Sequence, residues 1–450
     1  MSNDSAMQVE LLTEHHANMN MYGSSKTHVI ALSECFSCIF SETNGNWKVS
    51  RFHLTPLLAS YLLAFFVSEF EYDESYTKRG VRFRVWSTPE AKKKRGYGLK
   101  GAINYMEFFE EYFGVQDIVT KQDEDRYTSF VIRPDRSPAH YKCSSRLPSN
   151  LCIGNTVVLN NLSDLVALPD FSAGAMENWG LITFREGLLL ASGLPVPEET
   201  SSQLSIIAHE LSHQWFGNMV TMKDWGEVWL NEGFANFFET AVFLNKNDGD
   251  LHRSLHAEIS FDNALENDCF ATSRPLSSVI DTPSEIFESF DSITYDKGGA
   301  IIDMTAKIMG RQKFRKGLNH YIRKFSLRNT QGDDWWRSID ESLEEDKEHR
   351  DGGPDGGVLK MWYFGSQWTK QMGFPLVTLE TVNSTTIKIG QQRFLKGSYA
   401  LELQKYRFPS YRYKWDVPLF CQEGRQDLGM KWLKRGRNTN KVGVMPLLMG

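Results

Sequence analysis

Apolar residues recur with several different spacings along the chain, and each spacing predicts a different kind of element. Residues 1–45 show no clear periodicity. From Trp47 to Phe70 apolar, β-branched and aromatic residues dominate, as in the closing strands of a β domain. Val81–Trp86 reads as a short strand, and Leu99–Phe113 spaces its apolar residues as a helix does. Residues 124–163 are polar with scattered Pro, Arg and Ser, the composition of a loop. Leu181–Phe184 predicts a strand. Ser202–Gly217 predicts a helix, with Ser201 and Ser202 as N-cap candidates and Gly217 as its stop. A largely helical stretch follows over about 232–350 and ends at the turn cluster Gly352–Gly357. Beyond Gly373 the alternating segments Leu376–Glu380 and Thr386–Ile389 predict strands of a small β-sandwich. The fold class expected is α/β of the mixed α+β kind.

The helix over 202–217 carries His209-Glu210-Leu211-Ser212-His213, and Asn231-Glu232 stands nineteen positions beyond the second histidine. Histidines four apart lie one turn apart on one helix face, so both imidazoles reach a single ion. Glu210, one step round, can hold a water without ligating the metal. Two histidines, the carboxylate of Glu232 and one open position make a catalytic rather than a structural zinc site. The bland alternative is a chance string on an amphipathic helix, and the placement of Glu232 argues against it. Glu239 lies seven residues after Glu232 on the same face; it is either a partner for a zinc histidine or a surface glutamate. His252 and His256 repeat the one-turn spacing without an internal glutamate or a downstream ligand, and read as an exposed helix face.

Upstream, Gly174-Ala175-Met176-Glu177-Asn178-Trp179-Gly180 joins a turn to the strand at Leu181. With His213–Asn218, Trp229–Ala235, Thr294–Gly298 and Trp368–Pro375, in that order, it resembles the zinc aminopeptidases of the aminopeptidase N and puromycin-sensitive aminopeptidase family. The resemblance covers roughly 46–123 and 164–420. It implies a thermolysin-like catalytic domain over 72–372, preceded by a remnant of a β domain at 46–71 and followed by a β-sandwich at 373–450, with 1–45 unassigned. It makes Tyr61–Ser68 a buried strand. One Zn2+ per chain is implied on His209, His213 and Glu232, with Glu210 as acid–base catalyst and Tyr295 as donor to the oxyanion. Substrate binding falls to Gly174, Ala175, Met176, Glu177 and Asn178; Glu177, assisted by Glu232, would take the free α-ammonium of a peptide.

The resemblance also marks departures. Family members run almost directly from a segment like Lys121–Asp123 to one like Leu165–Phe171, so 124–163 is an insert, either a surface excursion or non-coding sequence joined to the coding frame; the second is favoured. Gly187 and Gly226 stand where larger residues are usual, and Gly299 where alanine is. Most of an N-terminal β domain and a C-terminal helical domain of the family have no counterpart here. The expected function is hydrolysis of the N-terminal peptide bond of peptides with a free N-terminus. A thermolysin-like endopeptidase is disfavoured by Glu177, whose ammonium-binding carboxylate would block an extended chain. The rival is an inactive fragment that binds zinc or peptide without turnover.

Length and composition add bounds. A chain of 450 residues suggests about three domains, and 41% hydrophobic with 24% charged residues is ordinary for a globular protein. A net charge of −6 gives no case for nucleic acid. The basic runs Lys92–Arg95 and Lys431–Lys441 read as solvated. The apolar run Leu57–Val67 is too short to cross a bilayer, which takes about 20 residues. Met1–Asn20 lacks the apolar segment of a secretory signal. Cys35, Cys38, Cys143, Cys152, Cys269 and Cys421 show no zinc-finger spacing and read as ordinary thiols. Asn161-Leu162-Ser163 and Asn383-Ser384-Thr385 are glycosylation sequons only in a secretory compartment. Compartment, oligomeric state and residue preference are left open.

Overall fold

The computed structural model describes residues 57–117, 162–191, 197–239, 249–345, 352–383, 386–397, 400–423 and 425–436. It adds the backbone of strands at 6–12, 18–22, 30–33, 38–44, 47–53, 127–133 and 440–443. The chain divides into two compact units: residues 1–107 with 117–211, and residues 108–116 with 212–450.

In the first unit the strands are β1 Ala6–Leu12, β2 Asn18–Tyr22, β3 Ile30–Ser33, β4 Cys38–Asn44, β5 Trp47–His53, β6 Phe65–Ser68, β7 Glu71–Tyr76, β8 Arg82–Ser87, β9 Tyr127–Arg133, β10 Leu162–Leu168, β11 Ala175–Met176 and β12 Leu181–Arg185. They form sheets in the orders β2-β1-β9-β5-β4 and β11-β12-β10-β8-β7, and the pair β3-β6. Helix α1 spans Arg95–Phe113, α2 Glu186–Leu189 and α3 Pro197–Ser212. The second sheet positions the site. Its strands β8, β10 and β12 run parallel, with β7 and β11 antiparallel at the two edges. The middle of that sheet is buried on both faces: the consecutive Leu165, Val166 and Ala167, and Ile182 and Phe184, are fully buried. Buried Asp164 accepts two hydrogen bonds of 2.6 Å from Arg84 and one of 2.9 Å from Trp86 Nε1, which ties β10 to β8.

The second unit contains β13 Val220–Met222, α4 Trp229–Phe238, α5 Gly249–Asp268, α6 Pro283–Glu288, α7 Gly298–Met309, α8 Arg311–Phe325, β14 Arg328–Thr330, α9 Gly332–Glu345 and α10 Met361–Thr369. After these come β15 Pro375–Asn383, β16 Thr386–Arg393, β17 Val417–Glu423, β18 Gln426–Leu433 and β19 Asn440–Gly443. Strands β13 and β14 pair in parallel, and the later strands make the sheets β15-β16-β19 and β17-β18. The basic face of α8 is spent on capping: Arg315, Asn319 and Arg323 donate to the last carbonyls of α1 and to Gly114, where cations and donors meet the negative end of a helix.

Several expectations shift. Tyr61–Ser68 is not one strand: Ser60–Leu62 is a 3-10 turn and only Phe65–Ser68 extends, paired with Ile30–Ser33. The stretch read as loop at 124–163 contains strand β9 and the first two residues of β10, and residues 1–45, which lack periodicity, supply β1 to β4; the rest of the insert lies outside the described residues. Helix α3 starts at Pro197, ahead of the serines taken as caps, since proline's fixed φ and missing N–H suit a first helical position. Lys92–Lys94 are exposed on a 3-10 turn, but Arg95 is fully buried and donates to Ser87 Oγ at 2.7 Å and to Thr88 O at 3.1 Å. Among the described cysteine side chains, Cys269 and Cys421 are free thiols. No helix among the described residues is long and apolar enough to cross a membrane.

Candidate metal centre

Helix α3 carries His209 and Glu210, ends at Ser212, and passes into a tight turn that begins at His213. The turn is closed by Phe216 N–H to Ser212 O at 3.1 Å and by Asn218 N–H to His213 O at 3.0 Å. Gly217 takes φ +129°, and a Cβ there would sit 3.3 Å from both His213 Nδ1 and Asn231 Nδ2, so glycine is required at this corner.

That turn fixes the chemistry of His213. Its Nδ1 lies 2.8 Å from the carbonyl of Phe216, which can only accept, so Nδ1 is the donor and Nε2 is the nitrogen left to face a metal. Nε2 stands 3.3 Å from Glu232 Oε2. Ligands at about 2.0–2.1 Å from a tetrahedral zinc are separated by about 3.3–3.4 Å, so the pair already has the spacing of two corners of such a site. His209, one helical turn earlier, completes a group whose ligand atoms all lie within 4.8 Å of one another. All three side chains are buried. Two imidazoles and a carboxylate with this spacing suit zinc in donor type and number, and leave a position for water or substrate.

Glu177 and Glu210, both in the first unit, are buried as well. Glu177 is placed by β11. That two-residue strand pairs with Phe184 and Thr183 of β12, and Arg185 N–H donates to Gly174 O at 2.8 Å. Asn178 is structural as well, donating to Leu62 O at 3.0 Å and accepting from Thr183 Oγ1 at 3.3 Å. Strand β11 is the edge of its sheet, so its outer backbone groups face away from any described strand.

Glu232 is held by the packing of α4. Phe216 stacks on Phe234 at 4.3 Å, Phe234 meets Trp335 edge-on at 4.8 Å, and Phe113 meets Trp215 and Phe238 at 5.1 and 4.9 Å. Trp215 Nε1 donates to Val115 O at 2.9 Å. On the other side a Cβ on Gly233 would fall 2.9 Å from Gly298 Cα; only two glycines let the backbones approach this closely. Tyr295 sits half-buried on a π-turn, Ile293–Lys297, that packs on α4 just before that contact. Lys297 ends the turn in a buried ion pair with Asp268 at 2.6 Å.

Three supporting groups escaped the sequence. The carbonyl of Phe216 is backbone and carries no signal, yet it orients His213. The Lys297–Asp268 pair joins residues too far apart in sequence to be matched without the fold. Glu227 lies in an ordinary acidic turn. Glu239 caps the C-terminus of α4. His252 and His256 fall on α5, with side chains outside the described residues.

Residues 158–350 match the peptidase family M1 domain. The chain is 41% identical over 398 residues to an aminopeptidase N of Haemonchus contortus, covering 88% of this chain and 36% of that protein. It is 32% identical over 427 residues to endoplasmic reticulum aminopeptidase 2 of Homo sapiens, covering 90% and 39%. With aminopeptidase N of Rattus norvegicus it shares 32% over 411 residues, covering 89% and 36%. The chain thus spans less than two fifths of the length of these relatives. Its matched segment carries the His209, His213 and Glu232 group, and the chain belongs to peptidase family M1.

Proposed function

We propose that the chain is a zinc-dependent aminopeptidase that removes single residues from peptides with a free N-terminus. The observation that carries this reading is the tautomer-fixed Nε2 of His213 at tetrahedral spacing from Glu232, with His209 one turn away. Zinc held by these residues would polarise the scissile carbonyl and acidify water. Glu210 takes the proton of the attacking water and returns one to the leaving amine. Glu177 binds the α-ammonium of the substrate, assisted by Glu232, as a charge-assisted pair in a buried site. The outer edge of β11 at Ala175, with Gly174 and Met176 beside it, meets the substrate backbone as an added strand, and Asn178 holds that edge to Leu62. Tyr295 donates to the oxyanion. In this reading 72–372 is a thermolysin-like catalytic domain and 373–450 a β-sandwich. The names of the relatives support the reaction class.

The test is hydrolysis of alanyl and leucyl fluorogenic amides by purified protein of measured zinc content, beside Glu210→Gln and an N-acetylated substrate. Activity that disappears in Glu210→Gln and on the acetylated substrate is the expected result. Cleavage of the acetylated substrate would refute the ammonium site. Full zinc without turnover would refute the aminopeptidase reading for this chain.

A further inference from the structure

The helix that carries Glu232 starts at Trp229, and its N-cap, Val228, makes no side-chain cap. The residue before it takes over. Glu227 closes a 3-10 turn begun by Asp224, whose carboxylate accepts from Gly226 N–H at 3.0 Å. Gly226 O accepts from Ser278 N–H at 3.1 Å, and a Cβ at 226 would meet Ser278 O at 1.8 Å. The glycine that departs from the family pattern therefore lets segment 277–278 lie directly against the turn.

In that pocket Glu227 Oε2 accepts from Ser277 Oγ at 2.8 Å and from Trp229 Nε1 at 3.0 Å. The indole N–H also lies 3.2 Å from Ser277 Oγ. The amide of Gly332, at the start of α9, donates to the same carboxylate. One carboxylate thus joins the turn, segment 277–278 and α9 to the first residue of α4. Burial pushes its carboxyl above the usual range, against the bonds from Ser277 and Trp229, which lower it. Trp229 is fully buried and stacked on Trp336 at 6.3 Å, so its indole is a rigid arm. Glu232 follows three residues later, about 4.5 Å along the helix, whereas His213 comes from a separate turn. The distance between these two ligands depends on where α4 is held, and a shift of about 0.5 Å is enough to spoil a metal site.

We propose that Glu227 is a positioning residue for the metal centre, fixing through Trp229 the helix that presents Glu232. The inference rests on the zinc reading above, and its test separates the two. Zinc affinity of the full chain is measured by competition with a chromophoric chelator, and the rise in Tm on adding zinc is recorded for each variant. Glu227→Ala is expected to bind zinc about tenfold more weakly or worse, with a smaller zinc-induced rise. Glu227→Gln keeps an acceptor oxygen and is expected to restore most of the affinity. Ser277→Ala and Trp229→Phe each delete one donor while keeping the packing, and carry the test if the alanine variant does not fold. A lowered Tm without zinc, combined with unchanged affinity, means an ordinary packing role and overturns the proposal, as does parental affinity in both donor variants. A parent chain that binds no zinc overturns the metal reading itself.

Discussion

Replacing Lys297 by methionine removes the cation of a buried pair and strands its partner. The Nζ–Oδ2 separation is 2.6 Å, and the two side chains are 6% and 2% exposed. At an effective dielectric of about 20 the direct attraction is about 6 kcal/mol, most of which offsets the desolvation of the two ions. Asp268 cannot swing out to water in the variant, because Gly373 N–H and Ser273 Oγ donate to its Oδ1 at 2.8 and 2.6 Å. The expected loss is therefore that of a stranded charge, about 3–5 kcal/mol. In Lys297→Met with Asp268→Asn the amide oxygen still accepts both bonds and no charge is left, so most of the loss returns. Urea unfolding followed by tryptophan fluorescence gives both numbers from midpoints at constant slope. A single variant within about 1 kcal/mol of the parent, or a double variant no better than the single, would refute the reasoning, because the carboxylate would then not be stranded. Since Lys297 ends the π-turn that carries Tyr295, the single variant should also lose turnover more than zinc.

His213→Ala should reduce zinc, measured by atomic absorption after dialysis, to near zero; retention of a full equivalent would exclude the ligand set. Glu210→Gln should keep its zinc and lower kcat about 10²–10⁴-fold, and an unaffected kcat would remove Glu210 from the reaction. Gly365→Ala would place a Cβ 2.2 Å from the ring of buried Trp336 and should cost about 1–3 kcal/mol by overpacking, read from the urea midpoint. For Glu227 the folded carboxyl lies above its ordinary value of 4.5. The folded state therefore holds a proton that the unfolded chain releases, and this stability is lost as pH rises from that value through the raised one. Glu227→Gln should flatten that part of the stability–pH curve, and an identical slope in parent and variant would show that Glu227 does not titrate there.

Local periodicity carried much of the fold. Val81–Trp86, Leu99–Phe113 and Leu181–Phe184 reappear as β8, α1 and β12 within a residue or a few at each end, because each buries one consistent set of side chains. Where that condition fails the sequence misleads. The run at Tyr61–Ser68 is apolar up to Val67 and says nothing of the 3-10 turn at Ser60–Leu62, whose Leu62 carbonyl is taken by Asn178 from 116 residues away. Strand β9 is hidden in a polar stretch because its pairing partners, β1 and β5, are remote in sequence.

The sequence by itself named the residues proposed to hold a metal, His209, His213 and Glu232. Spacing along the chain sets His209 about one turn before His213, although the helix ends at Ser212 and His213 opens the turn that follows. What only the tertiary structure decided is how those residues are held. The proton on His213 Nδ1 is set by a backbone carbonyl, the position of Glu232 by two glycines in contact and an aromatic stack, and the turn of Tyr295 by an ion pair between Lys297 and Asp268. Spacing is a property of the local backbone and can be read along the chain. Tautomer, approach distance and pairing are set by groups far away in sequence, and they exist only once the chain has folded.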